Sequence, residues 1–283
     1  MNEYPLELSQ DKIAEFQSRG FVVTDDVLTF EELKRYGAAV DDEVALRTQA
    51  DARSVTEKST YEQSFIQCMR LWETSRTICE LSCNSKLAGI AAQLLTEPEI
   101  LLWQDQALYK EAGGRETTAH QDQPFWPIGD APLVSAWIPL CDVTVSSGAM
   151  AYVPGSHKAG KLTIVDITHS TEPYDILRDP ALNGATPETV EVAAGSAVWH
   201  HGFTVHQAGA NLSDETRRVF TSVYLARGYR RANAWPAYPL DRAGIKEGEL
   251  MEGKGMPQVW PPQTVLPEQP ANRGQLTGPQ YGK

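Results

Sequence analysis

The sequence has no run of about eighteen apolar residues, no CxxC pair and no excess of basic residues. Each absence removes a class of protein. Without a long apolar run no membrane-spanning helix is expected. The opening Met-Asn-Glu-Tyr-Pro-Leu-Glu lacks the basic and apolar regions of a secretory signal. The only cysteines are Cys68, Cys79, Cys83 and Cys141, so reduced and mostly buried thiols in a cytoplasmic protein are expected rather than a disulfide framework. A net charge of −12 argues against nucleic acid as a partner, since binding a phosphate backbone requires a basic face. The one dense basic group, Arg227, Arg230 and Arg231, reads either as a local anion patch or as a solvated strand end.

What is present organises the 283 residues into one domain, close to the upper size for a single hydrophobic core. Residues 1–96 read as mostly helical. Ser9 is placed to cap a first helix ending at Gly20, with Leu8 and Ile13 as a hydrophobic staple, and Thr29-Phe-Glu-Glu32 is a capping box opening a second. Phe21-Val22-Val23 between them reads as a strand, and residues 74–96 as one further helical stretch. From Glu99 to about residue 228 short apolar runs alternate with turn residues: 100–103, 107–109, 133–138, 149–153, 189–192, 197–199 and 219–225. This is the pattern of an all-β sandwich or jelly roll; a mainly β fold with flanking helices and a double-stranded β-helix (jelly roll, cupin-like) core is expected. Residues 159–188 read as an insertion, a candidate lid. Residues 229–283 are rich in Pro, Gly and Gln, a tail either free or wrapped round the domain and pinned by Trp235 and Trp260.

The chemistry-bearing motif is His120-Gln121-Asp122, with His206 far downstream. On an extended strand, residues two apart share a face, so His120 and Asp122 can reach one metal while Gln121 points away. With His206 returning from another strand, the set is the 2-His-1-carboxylate group that binds non-haem iron(II). His200 and His201 are rivals for the third position. His157, beside a Pro-Gly turn, and His169, in the insertion, read as turn and surface residues.

Three longer segments carry a family likeness. The segment running from His206 through Asn211 to Arg217 resembles the H-x4-N-x5-R stretch of the phytanoyl-CoA dioxygenase family, and Ser147 to Lys158 is similar to that family's Gly-rich PGSH segment. The opening, with Gly20-Phe21-Val22-Val23 and Leu28 to Leu33, is also similar, so the likeness runs over roughly residues 7–228.

The resemblance implies an iron(II)- and 2-oxoglutarate-dependent dioxygenase. Its metal ligands would be His120, Asp122 and His206, its co-substrates 2-oxoglutarate and O2, its products succinate and CO2, and its substrate a small organic metabolite oxidised at a C–H. It implies that Arg217 clamps the distal carboxylate of 2-oxoglutarate, for which a planar guanidinium is suited, and that Gln121 and Trp137 line the co-substrate pocket. Arg218, next to Arg217, reads as a surface charge. The family often has Ser two residues after the distal His, and here that residue is Ala208. Asp122 fills the position left small in related halogenases, so oxidation rather than chlorination is expected. Phe125 and Trp126 either line the substrate mouth or pack a strand end. A cupin-like oxygenase without 2-oxoglutarate and a non-catalytic jelly-roll binding module are the competing readings.

Overall fold

The computed structural model describes residues 6–170 and 172–271 of the chain, so the last part of the expected tail, 272–283, lies outside the described residues. The N-terminal elements follow the capping signals. Helix α1 (Gln10–Arg19) starts where the Ser9 side chain accepts from the backbone N–H of Lys12, and ends at Gly20, whose φ of 82° only glycine adopts without strain. A Cβ at Gly20 would also fall 2.4 Å from His157 Nδ1. Strand β1 (Phe21–Thr24) follows, then α2 (Phe30–Thr48) with the full Thr29–Glu32 capping box.

The expected 74–96 helix is two helices, α3 (Arg76–Ser82) and α4 (Ser85–Leu95), with β2 (Ile66–Met69) before them. The break has a local cause: Asn84 takes extended backbone and its side chain accepts from the N–H groups of Lys86 and Leu87, a cap that an apolar count does not reveal. The runs at 100–103 and 107–109 are in turn one strand, β3 (Ile100–Tyr109). Its polar middle looks like a break in sequence but serves two faces. Gln104 and Gln106 face the cavity described below, while Asp105, between them, accepts from the backbone N–H of Trp72 and the Ser82 hydroxyl.

The remaining strands are β4 (Thr117–His120), β5 (Leu133–Pro139), β6 (Met150–Tyr152), β7 (Glu188–Val190), β8 (Ala197–His201), β9 (His206–Ala208), β10 (Val219–Ala226) and β11 (Gln258–Trp260); α5 spans Tyr238–Arg242. They form two antiparallel sheets. The larger has the order β1-β8-β5-β10-β3-β11, with β2 also on β3, and the smaller the order β4-β9-β6-β7. The two facing sheets are the jelly-roll core, and α2, α3 and α4 cover the outer face of the large sheet, where Trp72, Trp199, Tyr224 and Ile90 are fully buried.

The insertion is a strap more than a lid. Its Val165, Ile176 and Leu182 pack on Ala119, Val153 and Val205, and Ile167 reaches the cavity wall. The tail does wrap the domain: β11 pairs with β3, and Met251, Met256 and Val259 are buried. Trp260 packs on the core, but Trp235 is half exposed. No helix among the described residues is long and apolar enough to cross a membrane.

Candidate metal and co-substrate site

His120 ends β4 and His206 begins β9, and the two are direct partners in the ladder. Each ring is aimed by the same device. His120 Nδ1 donates to the Thr118 carbonyl at 2.7 Å and His206 Nδ1 to the Thr204 carbonyl at 2.9 Å, which leaves both Nε2 atoms as free donors of electron pairs toward the interior. Asp122 departs from the strand expectation. The strand stops at His120, and Asp122 has φ −76° and ψ −50°, opening a 3-10 turn. Its carboxylate reaches the rings through this turn rather than through strand alternation. Oδ1 lies 3.5 Å from His120 Nε2 and 3.6 Å from His206 Nε2, and one ligand atom from each of the three residues falls within 4.8 Å of the others.

The rival histidines separate clearly. His201 Nδ1 accepts from the Phe203 N–H and its ring lies among Phe16, His157 and Phe203, away from the carboxylate. His200, on β8, does face the site: its Nε2 donates to Asp122 Oδ2 at 3.3 Å, the oxygen not shared by the other two rings. Sequence reasoning placed His200 only as an alternative ligand and missed this orienting bond. Its signal was strand parity, since His200 and Val198 share the inward face of β8.

Electrostatics suit a cation. Burial raises the Asp122 carboxyl, but His206, His120 and His200 around it outweigh that and hold it well below the ordinary range. Burial drives His206 down to about 3, against the pull of Asp122. A neutral imidazole beside an ionised carboxylate is the donor state a divalent metal requires.

A cavity of about 130 Å³ opens beside these residues. At its inner end Arg217 is 3% exposed, its Nη1 donates to the Gly148 carbonyl at 2.6 Å, and its guanidinium lies 5.5 Å from the Trp137 ring centroid. Arg217 Nε has no partner among the described residues. Gly148, at φ 83°, must be glycine, because a Cβ there would fall 2.7 Å from the Gly209 carbonyl. Lys110, paired backbone to backbone with Arg217, is fully buried too, and burial together with Arg217 pushes it down to about 7. Neither cation has an ion-pair partner among the described residues. Asn211 holds the turn between His206 and Arg217 by donating to the carbonyls of Lys110 and Glu215.

Trp137, Phe125 and Trp126 line the cavity. Gln121 does not. It is 3% exposed and spent on structure: Nε2 donates to the Gly160 and Phe203 carbonyls and Oε1 accepts from the Leu162 N–H, tying the insertion to the metal turn. The tail, to which no chemistry was assigned, supplies Pro236 to Pro239 to the cavity wall. Two members of the basic group are paired internally, Arg227 on Glu99 and Glu252 and Arg231 on Asp241, while Arg230 is exposed and donates to the Gly248 carbonyl. Arg218 pairs with Asp41 at the surface.

A two-sheet jelly roll with His, Asp and His converging beside a buried arginine defines the class of cupin-like metal proteins. Within that class the profile of the phytanoyl-CoA dioxygenase (PhyH) family matches residues 16–219, and the chain belongs to this family. It is 28% identical over 187 residues to a probable alpha-ketoglutarate-dependent hypophosphite dioxygenase of Stutzerimonas stutzeri, covering 65% of this chain and 63% of that protein. It is 33% identical over 146 residues to a phytanoyl-CoA dioxygenase domain-containing protein 1 of Danio rerio, covering 49% of each. The chain thus spans 49% to 63% of the length of these curated relatives. Solved structures match over more of their length. The alpha-ketoglutarate-dependent carbocyclase SnoK from nogalamycin biosynthesis is 25% identical with a TM-score of 0.72, covering 91% of this chain and all of that one. The epimerase SnoN, solved with Fe3+, alpha-ketoglutarate and nogalamycin RO, is 26% identical with a TM-score of 0.71, covering 88% and 98%.

Proposed function

We propose that the protein is an iron(II)- and 2-oxoglutarate-dependent dioxygenase that oxidises a C–H bond of a small organic molecule, most simply by hydroxylation. The observation that carries this is the convergence of His120 Nε2, Asp122 Oδ1 and His206 Nε2 within 4.8 Å, in one cavity with a buried Arg217 that has no ion-pair partner among the described residues. The donor set fits ferrous iron: two neutral imidazoles with Nδ1 tied back and one carboxylate kept ionised. Bound iron supplies the coupling of O2 reduction to decarboxylation of 2-oxoglutarate, giving succinate and CO2.

The chain's own residues do the rest. Arg217 holds a carboxylate at the inner end, where burial strengthens the charge-assisted bond and the Gly148 carbonyl fixes the guanidinium plane. Trp137 walls the co-substrate against solvent. His200 keeps the Asp122 carboxylate in place through its second oxygen. Phe125, Trp126 and Trp103, whose indole centroid lies 6.0 Å from that of Trp126, surround the substrate with ring faces. Also lining the cavity, a chain of hydrogen bonds runs from the Tyr61 hydroxyl to Gln67 Oε1 and from Gln67 Nε2 to Gln106 Oε1, suiting a substrate with oxygen functions. The likeness to SnoK and SnoN of nogalamycin biosynthesis, over nearly their full length, supports a natural-product intermediate as the substrate. Four free thiols, with Cys79 and Cys83 one helical turn apart and unbridged, support a cytoplasmic setting, and the acidic chain supports neither nucleic acid nor an anionic membrane surface as partner.

Incubation with iron(II), 2-oxoglutarate and O2 tests this without knowledge of the substrate. Slow succinate release that needs iron and is lost in Asp122→Ala is the expected result. O2 consumption without succinate would point to the cupin-like oxygenase instead, and neither signal with metal bound would leave a binding module.

A further inference from the structure

Position 208, where the family resemblance implies a serine, is alanine, so Arg217 lacks that hydroxyl beside it on the cavity wall. The β4–β9 ladder brings another hydroxyl there. Thr117 is the direct partner of Ala208, and such partners in an antiparallel ladder share a face with Cβ atoms about 5 Å apart. The ladder is irregular between Thr117 and His120, three residues apart, and this bulge lets both face inward. Thr117, Ala208 and Arg217 all line the one cavity.

The Thr117 hydroxyl is also oriented. Lys110 Nζ donates to its Oγ1 at 3.5 Å, which leaves the hydroxyl's own O–H to turn elsewhere. The same Nζ donates to the Arg115 carbonyl, which fixes it in place. Arg217 thus presents a buried cation to the cavity with no ion-pair partner among the described residues. Such an arrangement is costly unless an anion joins it.

We propose that Thr117, oriented by Lys110, is the second holder of the distal carboxylate of 2-oxoglutarate, in place of the hydroxyl absent at position 208. The assignment rests on the dioxygenase reading and deepens it. Thr117 is a co-substrate-positioning residue that acts on binding, not on the oxidation itself.

Titration of 2-oxoglutarate into the iron(II)-loaded full chain without oxygen, followed by the visible band of the chelate, tests it. Thr117→Val is expected to raise the Kd about ten-fold or more, as for loss of one hydrogen bond to a charged group. Thr117→Ser is expected to stay within about two-fold, and Ala208→Ser added to Thr117→Val to restore most of the affinity. The second probe is 2-oxobutanoate, which has the same chelating head and no distal carboxylate. It should bind the wild type and Thr117→Val alike, which a merely structural role for Thr117 would not produce. Lys110→Met repeats the test from the other side of the bond, with the same selective loss expected should the valine variant fail to fold. Unchanged 2-oxoglutarate affinity in Thr117→Val, or equal loss of both acids, overturns the proposal while leaving the dioxygenase reading intact. No band in the iron-loaded wild type overturns that reading first.

Discussion

In the large sheet β10 runs for eight residues, all buried, and hydrogen-bonds to a long strand on either side; in the small sheet β9, which carries His206, runs for three. The large sheet holds itself together through its ladders and the helical layer packed on Trp199, Tyr224 and Trp72. The small sheet has too few ladder bonds to hold three ligands to within a few tenths of an ångström. It is braced instead by side chains reaching back to the main chain: the imidazole bonds to Thr118 and Thr204, the three bonds of Gln121, and the two that Gln123 donates to the Gly129 and Ala131 carbonyls. The difference teaches that stability and ligand geometry are carried by different groups in this molecule. They should therefore separate under mutation.

The largest expected effect belongs to the large sheet. Trp199→Ala removes a fully buried indole and its 2.8 Å bond to the Thr24 hydroxyl, and should cost about 4 kcal/mol in urea unfolding while the folded fraction keeps its iron affinity. A loss of metal affinity matching the loss of stability would break the comparison. Asp122→Ala should do the reverse, lowering iron affinity by about 100-fold or more while costing the apo-protein less stability than Trp199→Ala does, because the large sheet and its helical layer are left intact. Isothermal titration and a thermal melt on the same preparation read both quantities.

Gln121→Leu sharpens the comparison, since it touches no ligand yet cuts the braces of the small sheet. About 2 kcal/mol of stability and a several-fold weakening of iron binding are expected together, and iron binding unchanged would mean the metal turn needs no brace. A smaller effect, visible through pH, sits in β3 of the large sheet. Burial pushes the Asp105 carboxyl up to about 7, against the Ser82 hydroxyl and backbone N–H groups that favour its charge. The folded chain thus keeps a proton that the unfolded chain releases near its ordinary value of about 4. For this group stability is highest below that value and falls as pH climbs to about 7. Urea unfolding at pH 5 and pH 8 should differ by on the order of 2 kcal/mol more in the wild type than in Asp105→Asn, with iron affinity alike in both.

The same contrast explains what could be read before the fold was known. The apolar runs of β5, β8 and β10 and the capped starts of α1 and α2 are legible because each is set by local chemistry or by a long buried face. The strands β2, β4 and β9 are three or four residues long and carry no periodicity, so they are found only through their partners. His120, Asp122, His206 and Arg217 were legible as residue types at spacings that one cavity requires, and the structure brings them to one cavity. The reason offered for Asp122 was nevertheless incorrect, because a 3-10 turn and not the strand presents its carboxylate. Gln121, which the resemblance assigned to the co-substrate pocket, lies past the end of the strand, and its side chain is bonded instead to the Gly160 and Phe203 carbonyls and the Leu162 N–H. Pro236 to Pro239 escaped notice because a Pro-rich tail reads as filler until its packing against Trp103 and Leu133 turns it into a wall.

Iron(II) titration of the wild type beside His206→Ala and His200→Ala tests most directly whether three side chains, and not four, close one metal site. One equivalent held tightly by the wild type, lost in His206→Ala and retained with at most about ten-fold weakening in His200→Ala, is the result this geometry requires. Undiminished binding in His206→Ala, or an equal loss in both variants, would contradict it.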